Sequence, residues 1–309
     1  MTDAILAVDV AGIRFQNPVL LASGTAAYGR EVAGVIDLEA LGGLVTKAVS
    51  LRPRNGAPPL RVVDVAGGML NAIGLANPGV AAVREHDLPW LAAKLSRARV
   101  LVNVVGDTVE DYGAVVAQLA DVAGVDGFEL NVSCPNVKAG GLEFGADPRA
   151  LREVVRTARE ATARPLFVKL SPALADIAAA AKIAVDAGAD AITLVNTLPA
   201  LAIDVERRRP ALGFGTGGLS GAAILPVGVR ATWMVRRAVD VPIVGVGGIA
   251  SGTDAVQYLL AGASLVAIGT AALRDPRAPE RVVRELDAWF RAHDVNSVRD
   301  LSGTLEWMS

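Results

Sequence analysis

Phe128-Glu129-Leu130-Asn131-Val132-Ser133-Cys134-Pro135-Asn136 starts as an apolar strand and ends as a polar loop. Asn131, Ser133, Cys134 and Asn136 place two carboxamides, a hydroxyl and the chain's single cysteine within a few residues. Pro135 stiffens the backbone directly after the thiol, because its ring fixes φ. A strand that breaks into such a loop has stopped packing and presents groups to a ligand. Seven further apolar runs share this character: Val19–Ser23, Gly43–Lys47, Val100–Val105, Leu166–Leu170, Ala191–Val195, Ile243–Gly247 and Leu265–Gly269. With Gly127–Asn131 they make eight expected strands. Amphipathic patterns predict helices near 31–40, 79–97, 108–123, 148–161, 173–187, 222–238, 252–261 and 277–292. Strands that alternate with helices argue for parallel βαβ units, and eight such units argue for a closed α/β barrel of the (β/α)8, or TIM, type. A doubly wound open sheet is the alternative.

Polar residues stand where a barrel would use them. Ser23, Lys47, Asn103, Asn131, Lys169 and Asn196 each lie at or just after the C-terminal end of a different strand. In a (β/α)8 barrel those ends converge on one rim, the site of catalysis. One asparagine there is ordinary turn chemistry; six polar residues at equivalent positions point to a site. Long inserted loops follow strands 2, 4 and 6, and long loops in compact domains tend to be functional. The first, 48–78, contains a plausible hairpin (Arg61–Val65 with Gly68–Ile73). The third, 197–221, contains Arg207-Arg208-Arg209, read as a solvated loop tip, and a glycine-rich run. No repeat or composition break divides residues 1–309, so one domain is expected.

The chain has 309 residues, 52% of them hydrophobic and 20% charged, enough for a core without disulfides. Its net charge of −2 and the lack of a basic stripe argue against nucleic acid as a partner. One cysteine with the distant His86 and His293 makes a metal site or iron–sulfur cluster improbable. No signal-like N-terminus and no run of eighteen apolar residues are present, so a soluble, cytoplasmic protein with no membrane partner is expected.

Two late junctions are glycine-rich: Gly245-Val246-Gly247-Gly248-Ile249 and Ile268-Gly269-Thr270. The loops after strands 7 and 8 are the usual phosphate site of such barrels. Gly245–Ala250 also fits G-x-G-x-x-A, but no acidic residue stands about twenty positions on, so a dinucleotide fingerprint is rejected. A phosphate clamp with a ring of amides and lysines suits flavin mononucleotide (FMN) across the barrel mouth. A phosphosugar would fit the clamp equally well.

Asn-x-Ser-Cys-Pro-Asn, Asn71-Ala72-Ile73-Gly74-Leu75-x-Asn77-Pro78-Gly79 and Thr216-Gly217-Gly218-Leu219-Ser220-Gly221, in this relative arrangement over nearly the whole chain, resemble the class 1 dihydroorotate dehydrogenases. The Asn-Ala-Ile-Gly-Leu form is most similar to the NAD-linked (1B) subclass. The resemblance implies FMN and the oxidation of dihydroorotate to orotate in pyrimidine synthesis. It implies FMN contacts from Ser23, Lys47, Ala48, Asn103, Asn131, Lys169, Val195, Gly221, Gly247, Gly248, Gly269 and Thr270. It implies that Lys47, Asn71, Ala72, Ile73, Gly74, Leu75, Asn131, Asn136, Asn196 and Thr197 hold the substrate and that Cys134 is the base. The residue-level alternative for Cys134 is a small buried hydrophobe. Gly213-Phe214-Gly215 and Arg207–Arg209 depart from the family pattern.

A homodimer is expected. For NAD as acceptor, a second subunit carrying FAD and an iron–sulfur cluster is implied, since this chain offers neither. Competing readings are a fumarate-linked or dihydropyrimidine-type flavin oxidoreductase, a phosphosugar isomerase or lyase, and a non-catalytic phosphate-binding barrel.

Overall fold

The computed structural model describes residues 3–133, 135–136 and 142–307. Eight parallel strands close into a barrel in chain order. They are β1 (Val19–Leu21), β2 (Gly43–Val45), β3 (Arg99–Val104), β4 (Gly127–Asn131), β5 (Leu166–Leu170), β6 (Ala191–Leu194), β7 (Ile243–Val246) and β8 (Leu265–Ile268). β8 pairs with β1, Val266 opposite Val19, and so seals the cylinder. This is the expected (β/α)8 architecture, with each strand within a residue or two of its expected ends.

The apolar strands bury both faces, as parallel strands in such folds do. Outward-facing Val100, Val102, Phe128, Leu130, Val168 and Ile192 belong to the large cluster shared with the helices. Inward-facing Leu20, Val45, Leu101, Phe167, Ala191, Val244, Leu265 and Ala267 form a separate cluster inside the barrel. A hairpin of Val8–Val10 and Ile13–Phe15 adds Val10, Ile13 and Phe15 to that cluster. Ala11 and Gly12 turn it with φ of 50° and 79°, the backbone of a tight two-residue turn. The lower barrel is therefore a filled apolar plug.

The helices begin where side chains satisfy free backbone N–H groups. α1 (Val109–Leu119) and α2 (Pro148–Glu160) start behind Thr108 and Asp147. α3 (Ile177–Asp186) starts behind Asp176, α4 (Leu225–Arg236) carries Pro226 in its first turn, and α5 (Gly252–Leu260) starts behind Ser251. Thr108 and Ser251 form capping boxes with Asp111 and Asp254. α6 (Ala278–Ala292) packs on α5 and on β1.

One expected helix is corrected. Residues 31–40 form turns and a short 3-10 segment, Leu38–Ala40. Asp37 caps that segment through Glu39 N–H, while the Glu39 carboxylate reaches away to the N–H groups of Ser96, Arg97 and Ala98. Gly34 and these outward bonds leave no run long enough for an α-helix. The expected helix near 79–97 spans Val80–Lys94 but widens to a π segment at Val83–Asp87. Leu88 N–H reaches back to Val83, and Pro89, next in line, has no N–H to give.

The inserts after β2 and β6 meet. The expected hairpin forms from Val62–Val65 and Gly68–Asn71. Gly217–Ser220 pairs with Gly68–Asn71, and Leu198–Ala200 pairs with Gly217–Ser220, giving one four-stranded antiparallel sheet. Gly218 is required there, because a Cβ on it would lie 1.9 Å from Thr197 Oγ1. No described helix is long and apolar enough to cross a membrane.

Phe167 is fully buried in the plug. Phe167→Ala is expected to cost about 3–5 kcal/mol of unfolding free energy, measured by urea denaturation.

Candidate active site

Strand register decides which polar side chains meet at the upper end of the barrel. Asn103 on β3 is paired with Glu129 on β4. Asn131 on β4 is paired with Lys169 on β5, and Lys169 with Thr193 on β6. Leu101, Phe167 and Ala191, two residues earlier on their strands, face the interior plug. By the two-residue period, Asn103, Lys169 and Thr193 continue the same inward rows. The barrel interior thus changes from apolar to polar within one layer.

That layer is dry. Relative exposure is 0% for Asn103, 2% for Glu129, 6% for Lys169 and 1% for Thr193. Asn103 Nδ2 donates to Glu129 Oε1 at 2.7 Å, and Lys169 Nζ lies 3.8 Å from the same oxygen. Asn103 Oδ1 and Thr193 Oγ1 are buried without a partner. Buried polar atoms are normally hydrogen-bonded, so an unpartnered acceptor at the end of the barrel is a candidate place for a ligand donor.

Asn131 continues the site above this layer. Its Oδ1 accepts from Asn196 Nδ2 at 3.1 Å and from Ser133 N–H at 3.3 Å. The buried Tyr112 of α1 donates its hydroxyl to the Asn131 carbonyl at 2.8 Å and pins the strand end. Asn196 Oδ1 in turn accepts from Thr197 N–H at 2.8 Å. Asn131, Asn196 and Thr197 are therefore one connected group.

The remaining expected residues occupy the following positions in the fold. Ser23 follows β1, half-buried, and Lys47 follows β2 with its N–H bonded to the Ala27 carbonyl. Ala48 packs with Val105 and Leu75. Asn71 Nδ2 donates to the Gly218 carbonyl at 3.2 Å, tying the two inserts together. Ala72 and Ile73 run beside Arg61 and Ala57 through backbone bonds, and Gly74 and Leu75 turn the chain in left-handed conformations. Val195 is buried after β6, bonded to Val246. Gly221 leads out of the sheet, while Gly247 and Gly248 follow β7 and Gly269 and Thr270 follow β8. Thr270 Oγ1 donates to Ser220 Oγ at 2.8 Å, joining the last junction to the sheet. Gly248 has φ of 76°, and a Cβ there would meet Leu225 at 2.7 Å. Tyr258 on α5 holds the same turn by donating its hydroxyl to the Gly247 carbonyl at 2.8 Å. Cys134 lies outside the described residues. Of Asn136, the backbone pairing of Pro135–Asn136 with Leu142–Glu143 is described.

Sequence reasoning missed Glu129 and Thr193. The signal for Glu129 was present: an acidic residue between Phe128 and Leu130, two positions before Asn131, shares its face of the strand.

A model of the family described as dihydroorotate dehydrogenase matches residues 5–290. The chain belongs to the dihydroorotate dehydrogenase family. It is 50% identical over 301 residues to a Geobacter sp. (strain M21) protein named dihydroorotate dehydrogenase B (NAD(+)), catalytic subunit, covering 97% of this chain and 98% of that one. A Citrifermentans bemidjiense protein of the same name matches with the same identity and coverage. A Solibacter usitatus relative, provisionally named a dihydroorotate dehydrogenase A (fumarate), is 49% identical, covering 98% of this chain and 99% of that one.

Beside the site of this dihydroorotate dehydrogenase family member, Glu143 closes the insert after β4. Burial pushes its carboxyl above the usual carboxylate range, and a hydrogen bond with Ser171, next to β5, pulls the other way. Among the described residues no cluster of His, Cys, Asp and Glu is placed to hold a metal. A carboxyl raised by folding favours the folded state in acid, and this contribution is lost as pH rises through its folded pKa. Glu143→Gln should therefore gain stability relative to the parent at neutral pH. The gain should shrink as pH falls through the raised folded pKa and be gone below about pH 4, where both states are protonated, in unfolding curves collected across pH.

Proposed function

We propose that this chain is the FMN-binding catalytic subunit of an NAD-linked dihydroorotate dehydrogenase, oxidising (S)-dihydroorotate to orotate in pyrimidine biosynthesis. The observation that carries this reading is the buried polar layer at the barrel mouth, with the Asn103 acceptor unpartnered. The names of its half-identical relatives support the same reaction.

The site fits a flavin. A heterocycle with ring N–H and carbonyl groups matches the unpartnered Asn103 Oδ1 and Thr193 Oγ1. The glycine turns after β7 and β8 leave backbone approachable, as a phosphate requires. A Cβ on Gly269 would meet nothing closer than 3.7 Å, so that junction keeps a small free cradle. Ser23, Lys47, Ala48, Asn103, Asn131, Lys169, Val195, Gly221, Gly247, Gly248, Gly269 and Thr270 would hold FMN. When bound, the flavin supplies the acceptor for the hydride leaving substrate C6.

The chain's own residues do the rest. Lys47, Asn71 to Leu75, Asn131, Asn136, Asn196 and Thr197 would fix the substrate carboxylate and ring. The Asn131–Asn196–Thr197 chain of hydrogen bonds presets their orientation, and position governs rate. Lys169 would offer a cation to the bound ring system; at about 4 Å and an effective dielectric of about 20 the attraction of such a cation for a negative charge is roughly 4 kcal/mol before desolvation. Cys134 would take the C5 proton, since a thiol with a pKa of about 8.5 is deprotonated far more readily than a serine hydroxyl.

A partner is part of the proposal. Leu60, Leu201, Ile203, Val205 and Phe214 are exposed on and around the segments that build the inserted sheet, beside exposed Arg207–Arg209. Apolar surface rimmed by charge marks association sites. A homodimer, and an FAD and iron–sulfur subunit that passes electrons to NAD, would cover such faces in the cytoplasm. Fumarate is the second acceptor reading, favoured by the name of the Solibacter usitatus relative.

Purified protein should show flavin absorbance that bleaches on anaerobic addition of dihydroorotate; bands that persist would redirect the search to other pyrimidines. Cys134→Ala should keep the flavin and lose about a hundredfold or more of turnover, with Cys134→Ser retaining a small fraction that rises at high pH. The chain alone should reduce artificial dyes and not NAD, and rapid NAD reduction without a partner would remove the two-subunit reading.

A further inference from the structure

Glu129 has no role in the reading above, yet it is the most enclosed charge at the site, 2% exposed and bonded to Asn103 at 2.7 Å. We propose that Glu129 is a positioning residue that fixes the Asn103 amide with Oδ1 turned to the bound heterocycle. The inference rests on the flavin reading and deepens it.

Donor and acceptor counts set the orientation of the amide. An amide has a donor end and an acceptor end, and either can face a neighbour when the amide rotates. Glu129 and Lys169 form an ion pair, and a carboxylate accepts only. The Nδ2 end of Asn103 must therefore face Glu129. The Oδ1 end is then the one left over, buried and unpartnered. Strand register makes this geometry obligatory, because Asn103 and Glu129 are paired residues of β3 and β4.

The ligand side follows from chemistry. A group aimed by Glu129 can only accept, so it selects an N–H of the ligand over a carbonyl. Without the carboxylate, the amide could turn its Nδ2 to the ligand and repel the same N–H. Lys169, at 3.8 Å, lies beyond hydrogen-bond reach of Glu129, so the carboxylate faces its charge without consuming its donors. One carboxylate thus orients a neutral acceptor on one side and pairs with a cation on the other.

The test is FMN binding to the full-length apoprotein, followed by quenching of flavin fluorescence, with Glu129→Gln and Glu129→Asp. The glutamine variant can offer either end of its amide to Asn103. The aspartate variant keeps the charge but falls short of Asn103 by one methylene. Both variants should bind FMN about tenfold more weakly, a loss of about 1.4 kcal/mol. In an Asn103→Ala background the same changes should alter affinity less than about twofold, since residues acting through one contact are not additive. Circular dichroism checks folding, and if one variant does not fold the other carries the comparison. Parent-like affinity in a folded Glu129→Gln variant would overturn the assignment. So would an undiminished effect in the Asn103→Ala background. A Glu129→Asp protein equal to the parent beside an impaired Glu129→Gln protein would also overturn it, by assigning the role to charge alone. Failure of the flavin reading would look different, because the parent apoprotein would then not bind FMN.

Discussion

A carboxylate enclosed by a hydrophobic barrel is the constraint on which the site depends. Taking such a charge out of water costs several kcal/mol unless partners compensate. Here the compensation is the Asn103 amide and the Lys169 ammonium, both delivered by neighbouring strands. The strand pairings leave little freedom in this. A one-residue slip of β4 against β3 would turn Glu129 into the helix layer and Phe128 into the barrel. The polar layer can exist only because the apolar plug below it, with Phe167 and the N-terminal hairpin, fixes that register.

Above the layer, the architecture changes from strand register to loop chemistry. The two inserts form a sheet of their own, stitched by Asn71 to Gly218 and by Thr270 to Ser220. Those bonds connect residues far apart in the chain, so the rim behaves as one surface and not as separate loops. Asn77 shows how such inserts are held. It bonds Ser50, Leu75 and Gly79 through both ends of its amide and is nearly inaccessible. It is a structural asparagine within the Asn71–Gly79 motif.

Much of this was legible in the sequence. Eight short apolar runs alternating with helical patterns named the barrel, and the polar residues at their ends named its candidate rim. The hairpin from the first insert was visible because turn residues separate two short apolar runs. Its union with Gly217–Ser220 was not, because pairing between distant loops leaves no local pattern. The segment 31–40 misled for the opposite reason: its apolar spacing is helical, but Glu39 bonds to a neighbouring loop instead of its own turn. Glu129 was overlooked since it lies inside a strand read as wholly buried, where a charge is unexpected until the partners on adjacent strands are seen.

Closure of the barrel between β8 and β1 has a consequence for biosynthesis. The strand that completes the cylinder ends at Ile268, and its partner ends at Leu21. The ribosome therefore makes nearly the whole chain before the first strand can find its second neighbour. Until then β1 is an edge with exposed backbone groups, and the interior polar layer stays open to water. Non-local pairing of this kind is slow and leaves the nascent chain prone to association. The closed barrel is thus an end product of translation, completed only when the last strand docks.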